Sequence, residues 1–160
     1  MSRELYNWQA KRVAVISDTH GLYRPELDLF LADCDLVIHA GDIGLGVVGA
    51  IENHAIMVGV IGNTDYGNMA ARYPIHQLFL VNGYSFYLTH IPTENLPFVE
   101  GKLDFVIFGH THQPRYEVVD GTTFLNPGSV GPKRGALPIS VCKLVYDEVG
   151  KVFEVEFQDF

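Results

Sequence analysis

Seven side chains able to bind a hard or borderline metal ion stand where short apolar runs give way to polar turns: Asp18, His20, Asp42, Asn63, His90, His110 and His112. Two carboxylates, one carboxamide and four imidazoles exceed what one tetrahedral zinc accepts. They suit two divalent ions about 3.5–4 Å apart that share a carboxylate. Such a pair lowers the pKa of bound water from about 15.7 toward ~7, so a hydroxide between the ions is the expected nucleophile. In-line attack on phosphorus would build negative charge that the ions, the Asn63 amide and the bound imidazoles stabilise. The chemistry to expect is hydrolysis of a phosphate ester. A ligand set without thiolate favours manganese, iron, zinc, cobalt or nickel over cuprous ion, and manganese is the leading expectation.

Several elements must bring these residues together. Val13 to Ile16 is rich in β-branched residues and runs directly into polar Ser17-Asp18-Thr19-His20, which reads as a buried strand ending in a functional loop. Pro25 suits a first helical turn, and Leu27, Phe30 and Leu31 recur at helical spacing. Leu36 to Ala40 is a second buried strand delivering Gly41-Asp42, Val47 to Glu52 a helix, and Ile56 to Ile61 a third strand delivering Gly62-Asn63. The alternation predicts parallel pairing with right-handed crossovers.

Beyond Pro74 the pattern changes, and antiparallel strands are expected to dominate. Ile75–Val81 and Tyr84–Thr89 flank Asn82-Gly83, and Tyr116–Val119 and Thr122–Leu125 flank Asp120-Gly121, both strong hairpin signals. A third hairpin is expected near Glu148-Val149-Gly150, between Ile139–Tyr146 and Val152–Phe157. Phe105 to Phe108 is a further buried strand ending at Gly109-His110. The whole chain, 1–160, reads as one α/β domain of two packed sheets flanked by helices.

In an extended strand end, residues i and i+2 share a side, so Asp18 with His20, and His110 with His112, are expected to aim at one cleft by strand alternation. Gly41, Gly62 and Gly109 each precede a ligand and would permit a sharp turn or a close approach.

Composition narrows the function. With 48% hydrophobic residues in 160, the chain has the material for one substantial core. Its 19 acids against 11 bases give a net charge of −8, which argues against a broad basic surface for nucleic acid. Two divalent cations would reduce this to about −4 and concentrate positive charge in one cleft. Cys34 and Cys142 lack zinc-finger or redox spacing and read as core filler. No secretory signal and no run of ~20 apolar residues is present, so the expectation is a cytoplasmic protein with no membrane partner.

The ordered set Asp18-Thr19-His20, Gly41-Asp42, Gly62-Asn63-Thr64-Asp65, Thr89-His90 and Gly109-His110-Thr111-His112, followed by Asn126-Pro127-Gly128-Ser129, resembles the calcineurin-like metallophosphoesterase superfamily. The compact size is similar to its small prokaryotic-type phosphodiesterase branch, and the resemblance spans Arg12 to Gly135. It implies a four-layer α/β/β/α sandwich of two mixed sheets flanked by helices, the metallo-dependent phosphatase fold. One metal would take Asp18, His20 and His112, the other Asn63, His90 and His110, with Asp42 bridging. Asp42, Asn63 and His110 would be the catalytic residues, and a small phosphate ester the substrate.

Two departures stand out against that pattern. Many phosphomonoesterases of the superfamily have histidine immediately after the asparagine, where it can protonate the leaving oxygen; here Thr64 occupies the position, so diesters with good leaving groups are expected. Relatives often have glycine and then a helix after the histidine at position 90, whereas here Ile91 to Pro97 intervenes with two prolines, predicting a short loop.

The remaining candidates carry alternatives. His39 could orient a ligand or serve the fold alone. Asp65 could hold a metal-bound imidazole or, as favoured, cap a turn. His54 and His76 read as surface or sheet residues. Arg115 and Arg134 could reach a phosphate oxygen but read as solvated, and Asn126–Ser129 reads as a turn beneath the site. Phe79, Tyr84, Phe86 and Tyr87 read as sheet core and edge rather than as a base-stacking platform. Val152–Phe157 could pair with another subunit in a homo-oligomer, with sheet core the default. The competing functions are a non-catalytic interaction scaffold, resembling the retromer subunit of this fold, and a metal-dependent nuclease. The full ligand set argues against the first, and the acidic chain against the second.

Overall fold

The computed structural model describes residues 5–92, 96 and 102–160. In chain order the first half gives β1 (Asn7–Trp8), β2 (Arg12–Ile16), α1 (Glu26–Leu31), β3 (Leu36–His39), α2 (Val48–Glu52), β4 (Ile56–Gly59) and α3 (Asn68–Arg72). The second half gives β5 (His76–Val81), β6 (Tyr84–Thr89), β7 (Phe105–Ile107), β8 (Arg115–Val119), β9 (Thr122–Asn126), β10 (Ser140–Asp147) and β11 (Val152–Asp159).

Two mixed sheets result. One runs β11-β10-β2-β3-β4, with β2, β3 and β4 parallel; the other runs β1-β5-β6-β7-β9-β8. The three hairpins form where they were expected. Asn82-Gly83 and Asp120-Gly121 both have positive φ at both residues, as a type I′ turn requires. The expected antiparallel dominance does not hold in the second sheet, because β7 inserts between β6 and β9 and pairs parallel with both. Turn residues specify only what lies next to them in sequence, and β7 reaches its place by crossover.

Alternation divides the buried residues into layers. Val13, Val15, Leu36 and Ile38 of the first sheet meet Phe79, Phe86, Leu88, Ile107 and Leu125 of the second, with Phe86 stacked between Phe79 and Phe105. On the outer face of the first sheet, Ala14, Ile16 and Val37 pack under Leu27, Phe30 and Leu31 of α1 and Val48 and Ile51 of α2. Tyr87, Leu103, Val106 and Phe108 form an apolar cluster on the outer face of the second sheet. The expected Ile91–Pro97 loop lies largely outside the described residues. Cys34 and Cys142 are buried in the cores, and burial pushes their thiols up to about 11 and about 12. Among the described residues, no helix is long and apolar enough to cross a membrane.

Register places the site. The ends of β2, β3 and β4 align through Ile16, His39 and Gly59, and those of β6, β7 and β9 through Leu88, Ile107 and Leu125. The loops bearing Asp18, Asp42 and Asn63 therefore leave one sheet beside those bearing His90, His110 and His112 from the other, at the carboxyl ends where open α/β sheets bind ligands.

Candidate metal centre

Convergence of the seven side chains is achieved by turns, not by strand alternation. Asp18, His20, Asp42, His110 and His112 have φ of 57°, 49°, 53°, 71° and 62°, all in the left-handed region. The expected extended geometry for Asp18 with His20 and His110 with His112 is thus replaced by tight bends. Residues without a glycine's freedom sit there only when surrounding bonds hold them. Those bonds are present: Asp18 N–H donates to the Gly41 carbonyl, His20 N–H to Asp42, and Gly21 N–H to Ile43, zipping the first two ligand loops together. Gly62 and Gly109 serve close approach, since a Cβ on Gly62 would stand 2.1 Å from Asp42 Oδ1 and one on Gly109 2.7 Å from Asp18 Oδ2.

Donor atoms gather at distances that suit ligands sharing one ion. Asp18 Oδ1 lies 3.2 Å from His112 Nε2, 3.7 Å from His20 Nε2 and 3.9 Å from His90 Nε2. Asp42 Oδ2 lies 3.2 Å from His90 Nε2 and 3.7 Å from His20 Nε2. Atoms bound to one ion at about 2.1 Å stand roughly 3.0–3.4 Å from each other. Asp18, His20 and His112 form one cluster that could hold an ion, and Asp18, Asp42 and His90 a second. Asn63 Oδ1 joins the second side, 3.0 Å from His90 Nε2 and 3.2 Å from His110 Nδ1.

Among the described residues, the buried side-chain polar atoms without a hydrogen-bond partner are Asp18 Oδ1, His20 Nε2, His112 Nδ1 and the Tyr73 hydroxyl. Three of the four belong to this cluster. A buried unpaired polar group costs about 1–3 kcal/mol, more if charged, so Asp18 Oδ1 and His20 Nε2, 3.7 Å apart, point to a missing cationic partner; His112 turns its other nitrogen, Nε2, toward Asp18. His90 agrees: the Ala40 carbonyl can only accept, so His90 Nδ1–H donates to it (2.7 Å), and in the neutral ring Nε2 is left with a lone pair facing two oxygens, to which only the imidazolium can donate.

Titration follows the same geometry. Burial pushes the Asp42 carboxyl up, but hydrogen bonds from His90 and from the Thr64 N–H and hydroxyl outweigh it and hold the group below the usual carboxylate range. Burial disfavours imidazolium at His90, yet the Asp42 and Ala40 bonds and the nearby Asp18 charge leave its pKa raised. Burial lowers His112, against the pull of Asp18.

Neutral bracing lies behind the ligands. His39 Nδ1 accepts from Gly41 N–H, so Nε2–H donates to Thr19 Oγ1 (3.0 Å), whose own proton goes to the Ile43 carbonyl. It fixes two ligand loops and bonds to no ligand side chain, and full burial depresses its pKa to about 3. Asp65 accepts from the N–H groups of Ile43, Gly44 and Gly62, in keeping with the favoured turn-capping reading. Asn126 Nδ2–H₂ donates to the Gly109 carbonyl and Thr111 Oγ1, and Ser129 Oγ to the Asp18 carbonyl, so the Asn126–Ser129 turn does lie beneath the site. Sequence reasoning missed Ser17, whose hydroxyl donates to Asp18 Oδ2, and Arg24, whose guanidinium ties down Val130 and Gly131. Ser17 borders Asp18, but nothing in its type marks the bond.

The other candidates stay outside the cluster. Arg115 pairs with Glu117 and lies over Phe108, and exposed Arg134 bears on the site only through its charge on His112. His54 meets Asp28 and Tyr23, and His76 lies against Tyr87 on β5. Phe79 and Phe86 are core, as expected.

A family model, the calcineurin-like phosphoesterase superfamily domain, matches residues 12–148. The chain belongs to that superfamily. A probable metallophosphoesterase of Mycoplasma pneumoniae is 31% identical, over 91% of this chain and 96% of its own. Among solved structures, an archaeal phosphodiesterase superposes with a TM-score of 0.71 at 22% identity, covering 93% and 99% of the two chains. Wild-type Vps29 of Entamoeba histolytica complexed with zinc superposes with a TM-score of 0.67 at 22% identity, covering 92% and 98%. At that identity the two structures speak for the fold alone. The superfamily is metallophosphoesterase, so this member is a phosphoesterase on a fold shared with Vps29.

Proposed function

We propose that the chain is a dinuclear metal-dependent phosphodiesterase acting on a small phosphate diester. The observation that carries the reading is the pair of buried, unpartnered atoms Asp18 Oδ1 and His20 Nε2, 3.7 Å apart, with His112 Nε2 3.2 Å from the first and Asp42 Oδ2 3.7 Å from the second. In this reading Asp18, His20 and His112 hold one ion, Asn63, His90 and His110 the other, and Asp42 lies between, with manganese the first choice. When bound, such ions supply Lewis-acid stabilisation of the phosphoryl oxygens and an activated water.

The chain's own residues set orientation and proton inventory. Thr64 fixes Asp42 Oδ1 through its N–H (2.9 Å) and hydroxyl (2.7 Å), leaving Oδ2 directed between His20 and His90. The Ala40 carbonyl holds the His90 proton on Nδ1, and His110 N–H donates to Asp18 Oδ2. Exposed His110 and Asn63 stand at the open face, where a phosphate oxygen would arrive. Thr64 decides the ester class. Its hydroxyl proton is committed to Asp42, and a threonine hydroxyl is a poor acid at neutral pH, so leaving groups that need protonation are disfavoured and activated diesters preferred.

The test compares turnover of bis-p-nitrophenyl phosphate with that of an alkyl monoester, using purified protein loaded with manganese, nickel or zinc. Faster diester cleavage is expected. Faster monoester cleavage would refute the ester class, and no turnover with any metal would leave the interaction-scaffold reading.

A further inference from the structure

Two recesses adjoin the ligand cluster, one on each side of the Gly62–Asp65 turn. Thr64 and Asp65 line the first, of about 420 Å³, together with His20, Leu45, Tyr66 and Met69. Gly62 and Asn63 line the second, of about 240 Å³, together with His90, Ile61, Ile75 and Ile91. Each contains part of the ligand cluster and a wall of apolar side chains.

Those apolar walls face water. Leu45 is 82% exposed and Tyr66 83% at the first recess, and Ile75 is 67% and Ile91 50% exposed at the second. Scattered exposed apolar residues need no explanation, but these flank one polar cleft from both sides. Leu45 is also held outward by construction. Gly44 and Gly46 on either side have φ of +79° and +86°, and a Cβ on Gly44 would strike the Gly21 backbone at 2.1 Å. Among the described residues, the core clusters include none of Leu45, Tyr66, Ile75 and Ile91.

We infer that the two recesses receive the two organic arms of a phosphodiester, so that the substrate carries an apolar or aromatic group on each side of phosphorus. This rests on the phosphodiesterase reading and adds the substrate's shape to it. A phosphate at the ligand cluster would touch His20 on one side and Asn63 and His90 on the other. Its two ester oxygens would then point their substituents toward Tyr66 with Leu45, and toward Ile75 with Ile91. A planar arm can stack on the Tyr66 ring, and the isoleucines offer an aliphatic face. A monoester would fill only one of the two.

Calorimetric titration of the manganese-loaded protein with diphenyl phosphate and with dimethyl phosphate tests this. The diphenyl ester should bind at least tenfold more tightly. Tyr66→Ser and Ile75→Ser should each weaken it about tenfold, the loss expected from removing one apolar contact face, and leave dimethyl phosphate and the melting temperature unchanged. Equal affinity for the two esters, or an effect from only one substitution, overturns the inference. Selective binding without turnover of any diester would sink the catalytic reading and keep the recesses; turnover of diesters without selectivity would do the reverse.

Discussion

Replacing Gly62 by alanine tests whether the site depends on the close approach of two loops. Gly62 is not among the residues with positive φ, so alanine meets no backbone penalty there. The added Cβ would lie 2.1 Å from Asp42 Oδ1 and 2.4 Å from Asp42 N, so the turn must withdraw by roughly an ångström. Withdrawal pulls both Thr64 hydrogen bonds off Asp42 and strains those from Ile43 and Gly44 to Asp65. Overpacking costs about 1–3 kcal/mol and a lost hydrogen bond to a charged group about 1.5–3; with water replacing the second bond at exposed Thr64, the combined loss is about 2.5–6 kcal/mol. At about 2–4 °C per kcal/mol for a chain of this length, the melting temperature should fall by about 5–24 °C. A misplacement of this size should also lower turnover about a hundredfold. Gly49→Ala is the opposing control. It lies inside α2 with nothing within 4 Å of its added Cβ, and should gain about 0.5–1 kcal/mol. Melting is followed by circular dichroism and turnover with bis-p-nitrophenyl phosphate. If Gly62→Ala melts within 2 °C of the parent (about the shift from 1 kcal/mol) and keeps its activity, the close approach is not a constraint.

Asp42→Asn and His110→Ala should each cost roughly a hundredfold or more in turnover at matched metal occupancy; near-parental rates would overturn their roles. Chelation should lower the melting temperature by several degrees, since a ligand at about a hundred times its dissociation constant stabilises by ~2.7 kcal/mol, and readdition of manganese should restore it. His39 sets a pH dependence in the chelated protein. The unfolded chain protonates it near pH 6.5 and the fold only near pH 3, so between these values the unfolded state binds more protons and stability falls as pH drops. Its share is up to about 1.4 kcal/mol per pH unit, and His39→Gln should flatten the urea-midpoint profile by about one proton; an unchanged slope would refute it.

The candidate ligands were picked out because they lie at the ends of apolar runs and several follow a glycine, a pattern set by short-range constraints alone. What alternation could not reveal is how they converge. Asp18, His20, Asp42, His110 and His112 depend on left-handed bends held by bonds such as Asp18 N–H to Gly41, between residues 23 positions apart by subtraction of their numbers. Likewise β7 carries no mark of its parallel neighbours, since pairing with β6 and β9 is decided by burial on both faces. Helix α3 buries none of its residues and β1 is two residues long, so neither produces an apolar period to detect. His39 was ambiguous because its role turns on which ring nitrogen carries hydrogen, and the Gly41 N–H that decides it becomes a neighbour only in the folded loop.

The same bends bear on why the site needs its cations. A non-glycine residue in the left-handed region costs about 1–2 kcal/mol, and five of the seven candidate ligands adopt it. Buried carboxylates at Asp18 and Asp42, with their unpaired neighbours, add to this. Together these costs are comparable to the ~5–15 kcal/mol net stability of a typical domain. The surrounding structure offsets part of it: the His39–Thr19 pair, the Asp65 carboxylate and the Asn126 and Ser129 side chains all bond to the backbone of the ligand loops. None of them neutralises the charge. Divalent cations would relieve carboxylate repulsion and satisfy the orphaned atoms at once, which is why chelation is expected to register in stability as well as in turnover.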